Sequence, residues 1–164
     1  MDNFVHLEVF SSFSFLWGTF TPEDLVEAVA SMGEKTVALT DYTLHGAVRF
    51  YKAAVRIGIQ PIIGAKLPIW DGSQATFLAT SFESYRNLCC LVSATSNSGT
   101  ITKQDLSHYS KGLVTIAGGS RSRIGAALKR GRSQEAEFIL QELKSVISNP
   151  EWLFLAIQNN CADD

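Results

Sequence analysis

The chain has 164 residues, of which 46% are hydrophobic and 18% are charged, and this length suits one globular domain with a substantial core. The formal net charge of −2 excludes a global attraction to nucleic acid or acidic membranes, so any such attraction must come from a local patch. No apolar run approaches the roughly 20 residues of a membrane helix, and the N-terminus lacks the basic-then-apolar order of a signal peptide. The sequence therefore predicts a cytoplasmic protein without a membrane partner.

Strand-like and helix-like segments alternate along the whole chain. The first strand is predicted over FVHLEVF, with Phe4, His6, Glu8 and Phe10 on one face. Further strands are predicted over TVALT, QPIIGAKLPIW, ATFLAT, GLVTIAGG and WLFLAIQ. Helices are predicted over PEDLVEAVASM, AVRFYKAAVRI, SFESYRNLCCLVSATS, TKQDLSHY, RIGAALKRG and SQEAEFILQELKSVI. About six strands separated by helices predict one α/β domain with a largely parallel sheet, and periodicity does not decide between an open sheet and a barrel.

Polar residues at predicted strand ends are the first candidates for chemistry, because ligands of α/β folds gather at the carboxyl ends of strands. His6, Glu8 and Asp41 are chemically competent ligands for zinc, manganese or iron. The structural alternative makes His6 and Glu8 a hydrogen-bonded pair and Asp41 the cap of the loop that follows it. Three scattered residues, taken alone, favour the structural alternative.

The most basic stretch runs from Ala117 to Arg132, where a strand, two glycines, a serine and a helix start suit an anion. Its possible phosphate or DNA contacts are Ser120, Arg121, Arg123, Lys129, Arg130 and Arg132. The stretch lacks the G-K-[ST] of a P-loop and has no interleaved aromatic residues for base stacking. A plain strand-to-helix turn with a solvated basic face is therefore favoured over a phosphate site.

Several stretches together resemble the N-terminal PHP domain of the bacterial DNA polymerase III alpha subunit. They are FVHLEVFSSFSFLWG, EDLVEAVASMGEKTVALTDYTLHGAVRFYKAA and GIQPIIGAKL, with looser matches in SFESYRNLCCLVSATS, SKGLVTIAGG and WLFLAIQ. The resemblance implies a distorted (βα)7 barrel whose strand ends hold two or three metal ions for phosphoester hydrolysis. Because this chain supplies about six strands, we expect an incomplete barrel. Residues 1–164 would then form a single PHP-like domain, the N-terminal portion of a larger protein.

The family's ligand motifs are only partly kept. His6 and Asp41 match the family pattern, whereas Glu8 stands in place of a second histidine. The remaining ligand positions hold other residues in place of the family's ligands, namely Phe10, Trp17, Tyr42 and Lys66. Phenylalanine and tryptophan offer no lone pair, and an ammonium group repels a cation. The resemblance therefore implies the remains of a metal site, in which Lys66 pairs with Glu8 or Asp41 and replaces the metal charge.

Two main functions remain open from the sequence. In the first, the chain is a non-catalytic module of a polymerase alpha-type protein in DNA replication or repair synthesis, without a bound metal. Its partners would be the remainder of that chain, other replication subunits, or a second copy joined through the last strand. In the second, it is a metal-dependent phosphoesterase that uses zinc, manganese or magnesium and is completed by residues outside this chain. A DNA-binding module acting through Arg121 to Arg132 is a third alternative.

Overall fold

The computed structural model of the chain describes residues 4–119 and 122–157. Its α-helices are α1 (Pro22–Ser31), α2 (Ala47–Ile57), α3 (Phe82–Ser98), α4 (Lys103–Tyr109), α5 (Arg123–Lys129) and α6 (Ser133–Val146). Its strands are β1 (Thr36–Leu39), β2 (Gln60–Pro68), β3 (Gln74–Ala79), β4 (Leu113–Gly118) and β5 (Leu153–Ala156), and a 3-10 turn covers Pro150–Trp152. Within this part of the chain, no helix is both long and apolar enough to cross a membrane.

The five strands form one open sheet in the order β1-β2-β3-β4-β5. The outer pairs β1–β2 and β4–β5 are parallel, whereas β3 is antiparallel to both of its neighbours. Four of the five strands therefore point the same way, as expected for a largely parallel α/β sheet. The exception follows from the short turn between β2 and β3, where Gly72 has a φ of +82° and donates to the carbonyl of Ile69 at 3.0 Å. So short a connection can only reverse the chain direction.

Residues 4–10 do not form the regular strand that the sequence predicts. The segment runs beside β1, but its only ladder bridge joins His6 to Val37, and the backbone bends at Glu8. The N–H of Ala38 donates to His6 and the N–H of Thr40 donates to Val9, at 2.9 and 2.8 Å. Three chain steps on this segment thus match two steps on β1, and the extra residue breaks the alternation of faces. His6 and Glu8 therefore do not share a face, contrary to the predicted pattern.

The helices begin and pack much as their sequences predict. Thr21 and Asp24 form a capping box at the start of α1, and similar boxes at Ser81 and Thr102 start α3 and α4. On α2 the buried residues are Ala47, Phe50, Ala53 and Ala54, which lie on one face of the helix. The helices thus present an apolar face to the sheet because their sequences are amphipathic.

Two apolar clusters meet at β2. The N-terminal half of β2 pairs with β1 and its C-terminal half pairs with β3, and β2 packs with α2 and α3. Ile63 contacts both clusters, and Phe77, Leu88 and Leu91 at the centre of the larger one are fully buried. The nine-residue strand β2 therefore joins the two halves of the domain.

The sheet ends at β5, and the face that carries Lys66 and Thr76 is exposed at that end. Lys66, Thr76, Ile116 and Phe154 are successive cross-strand partners and so form one row across this face. Thr76 is fully buried, whereas the ring of Phe154 at the end of the row is 55% exposed. In the described part of the chain, β5 pairs with β4 alone. The sheet thus ends in an apolar strand with an unpaired edge.

We expect the isolated chain to self-associate through β5, because residues 152–157 (WLFLAI) carry no charge and no proline to block edge pairing. Light scattering at several concentrations would measure this. Leu155→Lys should restore a monomer, whereas the control Phe82→Lys, at a 79% exposed site on α3, should leave association unchanged. A monomer at all concentrations would contradict the prediction.

Thr115 on β4 is fully buried, and its hydroxyl has no hydrogen-bond partner in the described structure. Thr115→Val keeps the shape and removes this unsatisfied group, so we expect a gain of about 1 kcal/mol in the free energy of unfolding. Thr76→Val is the matched control, because the Thr76 hydroxyl donates to Glu8 and its removal should destabilise the protein. Chemical denaturation of the two variants should give opposite signs, and a loss of stability in Thr115→Val would refute this account.

Candidate functional site

The carboxylate of Asp41 lies directly after β1 and is only 1% exposed. It accepts three hydrogen bonds, from the backbone N–H of Ser11 at 2.8 Å and from the hydroxyls of Ser11 and Ser14 at 2.6 Å each. Asp41 was expected to be a metal ligand or the cap of the loop after it. In this structure its carboxylate oxygens accept hydrogen bonds from the loop at residues 11–20.

This loop, residues 11–20, is compact because its backbone also closes on itself. Ser12 donates to the carbonyl of Phe20 at 2.7 Å, and Gly18 donates to Ser14 at 3.1 Å. A Cβ atom on Gly18 would lie 2.0 Å from the carbonyl oxygen of Ser11, so only glycine fits there. The tip is strained, since Leu16 has a φ of +66°, and it exposes the side chains of Phe15 and Leu16 by 83% and 87%.

The loop is also fixed to the first two helices. Arg49 of α2 donates two hydrogen bonds of 2.8 Å to the carboxylate of Glu23 on α1. Its guanidinium lies 5.7 Å from the centre of the Phe13 ring. The hydrogen bonds from Arg49 hold the pKa of the Glu23 carboxyl below its ordinary value. A bidentate pair thus ties α1 to α2 beside the loop.

Glu8 and Lys66 form the predicted ion pair. The Lys66 ammonium lies 3.0 Å from the Glu8 carboxylate, and both side chains are about three-quarters buried. The same Glu8 oxygen accepts a hydrogen bond from the Thr76 hydroxyl. Lys66 and Thr76 are neighbours across β2 and β3. The register of the sheet therefore places both donors within hydrogen-bond distance of the Glu8 carboxylate. The contact is therefore built into the fold.

His6 lies apart from Glu8 and Asp41. Its Nε2 atom is 3.4 Å from a carboxylate oxygen of Glu34, and its ring meets the edge of Phe4 at 4.7 Å between centroids. The second oxygen of Glu34 is buried and has no hydrogen-bond partner in the described structure. The proposed hydrogen-bonded pair of His6 with Glu8 is therefore wrong.

Aromatic rings occupy the remaining positions of the site. The ring centroid of Phe10 lies 5.1 Å from that of Tyr42 and 6.1 Å from that of Trp17, and the Lys66 ammonium is 5.9 Å from the Phe10 ring. No group of three or more His, Cys, Asp or Glu side chains in the described ranges is placed to hold a metal ion. The residues present therefore do not fit a multi-metal centre, since the three candidate ligands are each committed elsewhere.

The basic stretch follows β4, which lies three strands away from β1 in the sheet. Ser120 and Arg121 fall outside the described residues, whereas Arg123, Lys129, Arg130 and Arg132 are exposed around α5. The backbone N–H groups at the start of α5 are already used, because Gly125 donates to the Ser122 hydroxyl and Arg123 to the Ser73 hydroxyl, at 2.9 and 3.0 Å. The glycine turn therefore has little capacity left for an anion.

The residues that sequence reasoning missed are Ser11, Ser14, Thr76 and Glu34. Ser11 and Ser14 carried a usable signal, because two serines three residues apart in a loop can place both hydroxyls on one acceptor. Glu34 and Thr76 carried none, since their contacts depend on how distant segments pack. Hydrogen-bond partners of this kind are set by the tertiary structure.

Asp41→Asn keeps the shape of the side chain but removes the charge and one acceptor. We expect a loss of about 2–4 kcal/mol in the free energy of unfolding, because donors inside the loop would be left unsatisfied. Asp71→Asn is the control, since Asp71 accepts one backbone hydrogen bond in a turn and its change should cost about 1 kcal/mol or less. Chemical denaturation measures both, and equal losses would show that Asp41 does not anchor the loop.

Two curated proteins show the relatedness of the chain. A DNA polymerase III subunit alpha of Buchnera aphidicola is 35% identical over 147 residues, which cover 81% of this chain and 13% of that protein. An error-prone DNA polymerase of Symbiobacterium thermophilum is 37% identical over 157 residues, which cover 82% of this chain and 14% of that protein. The chain thus spans about one-seventh of the length of these relatives.

A solved structure shares the fold. It is a two-domain protein of Bacteroides vulgatus described as containing a predicted PHP-like metal-dependent phosphoesterase. It has a TM-score of 0.56 and 13% identity, and the match covers 87% of this chain and 42% of that one. The family profile of the PHP domain matches residues 6–160. The chain belongs to the PHP domain family.

Proposed function

We propose that the chain is a non-catalytic PHP module of a DNA polymerase III alpha-type protein that acts in DNA replication or repair synthesis. The observation that carries the proposal is the pairing of Lys66 with Glu8 at the strand ends, with Asp41 committed to two serines. The polymerase relatives, one replicative by name and one error-prone, support the setting. Such a module acts in the cytoplasm.

The electrostatics of the site support the loss of metal binding. A cation near Glu8 would have to displace the Lys66 ammonium or accept a like charge about 3 Å from the shared carboxylate. His6 and Asp41 would both have to leave their present partners to join it. The neighbouring rings of Phe10 and Trp17 cannot supply the remaining ligands, because they offer no lone pair to a cation. Lys66 then performs the electrostatic task of a metal, which is to neutralise a carboxylate at the strand ends.

The open sheet supports a role inside a larger protein. The chain matches only 13% and 14% of two polymerase relatives. Phe154 on β5 is 55% exposed, and β5 has one neighbour in the described structure. We propose that residues 1–164 are a single domain at the N-terminal end of such a protein. The remainder of that chain, or another replication subunit, would cover β5.

Elemental analysis of protein purified without chelator tests the proposal against the rival function, a metal-dependent phosphoesterase completed by residues outside this chain. We expect no stoichiometric zinc, manganese, magnesium or iron, and no change in melting temperature when these ions are added. One or more tightly held ions per chain that are lost in His6→Ala, but kept in the control His108→Ala on α4, would support the rival instead.

A further inference from the structure

Positive charge is strongly segregated along this chain. The 29 residues between Asp105 and Glu135 contain six of the 14 Lys and Arg residues and none of the 16 Asp and Glu residues. The remainder of the chain is correspondingly acidic, with eight basic residues against 16 acidic ones. A net charge of −2 therefore conceals one cationic region on an anionic protein.

The structure brings part of this charge to one small surface. Arg123, Lys129 and Arg130, here called the α5 basic surface, are all exposed at the two ends of α5. Arg123 and Arg130 are seven residues apart, which is close to two helical turns, so they lie on one side of the helix about 10 Å apart. That spacing lets several phosphates of one nucleic-acid strand be contacted together, since duplex DNA carries a phosphate about every 3.4 Å of its axis on each strand.

The three charges of the α5 basic surface differ from their neighbour Arg132 in their ion pairing. The nearby Arg132 pairs with Glu135 at 3.3 Å, but Arg123, Lys129 and Arg130 make no ion pair within the described residues. The helix α6, by contrast, carries the acidic Glu135 in its first turn as well as the basic Lys144 in its last turn. The helix α5 has no acidic residue in its own sequence or for five residues on either side.

The chemical groups of the α5 basic surface indicate which kind of partner it can bind. The backbone N–H groups of Arg123 and Gly125 already donate to serine hydroxyls, so a bound anion would be held by side chains. Residues 110–137 contain no Phe, Trp or Tyr, which leaves no ring in this segment on which a base could stack. Long flexible cations without aromatic neighbours suit backbone phosphates and read no sequence.

We propose that the α5 basic surface binds the phosphate backbone of duplex DNA without sequence preference. The contact does not depend on the state of the candidate metal site, because it uses residues that follow β4 and none of His6, Glu8, Asp41 and Lys66. Its energy comes from the release of counterions from DNA, and it therefore weakens steeply as the salt concentration rises. On a protein that is otherwise acidic, this surface also fixes which side of the module faces the DNA.

Fluorescence anisotropy with a labelled duplex of arbitrary sequence tests the proposal on the full chain. With about three phosphate contacts, the logarithm of the binding constant should fall with the logarithm of salt concentration with a slope of about −3. The combined variant Arg123→Gln, Lys129→Gln and Arg130→Gln should bind at least about tenfold more weakly at low salt and should lose most of this slope.

A matched control removes the same charge elsewhere. Lys52, Arg56 and Arg86 are exposed on α2 and α3 and make no ion pair within the described residues. Their combined change to Gln should leave both the affinity and the salt slope nearly unchanged. Melting temperatures of both triple variants confirm that each is folded.

A charge-preserving variant covers the case in which the Gln variant fails to fold. Arg123→Lys with Arg130→Lys should keep DNA binding within about threefold, because a phosphate requires charge rather than a guanidinium fork. The proposal is overturned by no binding at low salt or by an equal loss in the control triple variant. Preferential binding of a polyglutamate peptide over DNA would likewise overturn it and assign the surface to an acidic protein.

Discussion

The buried carboxylate of Asp41 is the interaction on which the strand ends depend. A charge that is 99% shielded from water is tolerated only when hydrogen bonds replace its hydration, and Ser11 and Ser14 supply them. Those bonds draw residues 11–20 onto the end of β1, and the backbone N–H of Lys66 donates to the Asp41 carbonyl at 3.2 Å. One residue thus joins the N-terminal loop, β1 and β2.

We propose that this arrangement substitutes for a metal cluster. Metal ions at strand ends hold together carboxylates that would otherwise repel one another. Without the ions, other positive or hydrogen-bonding groups must offset this repulsion. Here each acidic group has its own protein partner: Asp41 has serines, Glu8 has Lys66 and Thr76, and Glu34 faces His6. These acidic groups therefore have separate protein partners and do not form one site. A pair in a partly buried place is costly to break by removing one member, so the substitution is stable once made.

Local features of the fold could be predicted from the sequence, because they depend on residues close together in the chain. The capping box at Thr21 and the apolar face of α2 belong to this class. The contact of Lys66 with Glu8 was also predicted, because a partly buried charge requires a partner.

What could not be predicted depends on register and packing. One extra residue between His6 and Val9 separates His6 from Glu8, and no periodicity in FVHLEVF signals that bulge. The sequence of the predicted strand QPIIGAKLPIW likewise gives no sign that its N-terminal half pairs with β1 and its C-terminal half with β3.

The reversed strand β3 has a consequence for the site itself. A parallel neighbour of β2 would require a crossover helix, and its own carboxyl end would add a loop above Glu8. The hairpin instead places Thr76 in the middle of β3 directly beside Lys66. Its hydroxyl can then reach the Glu8 carboxylate from within the sheet, where rigid neighbours hold it, rather than from a mobile loop. The side of Glu8 that faces the sheet is closed by Lys66 and Thr76, and the ring of Phe10 lies 5.9 Å from the Lys66 ammonium. An ion pair in such surroundings is screened little by salt. A metal competing for Glu8 would therefore be opposed by the charge of Lys66 even when salt is present.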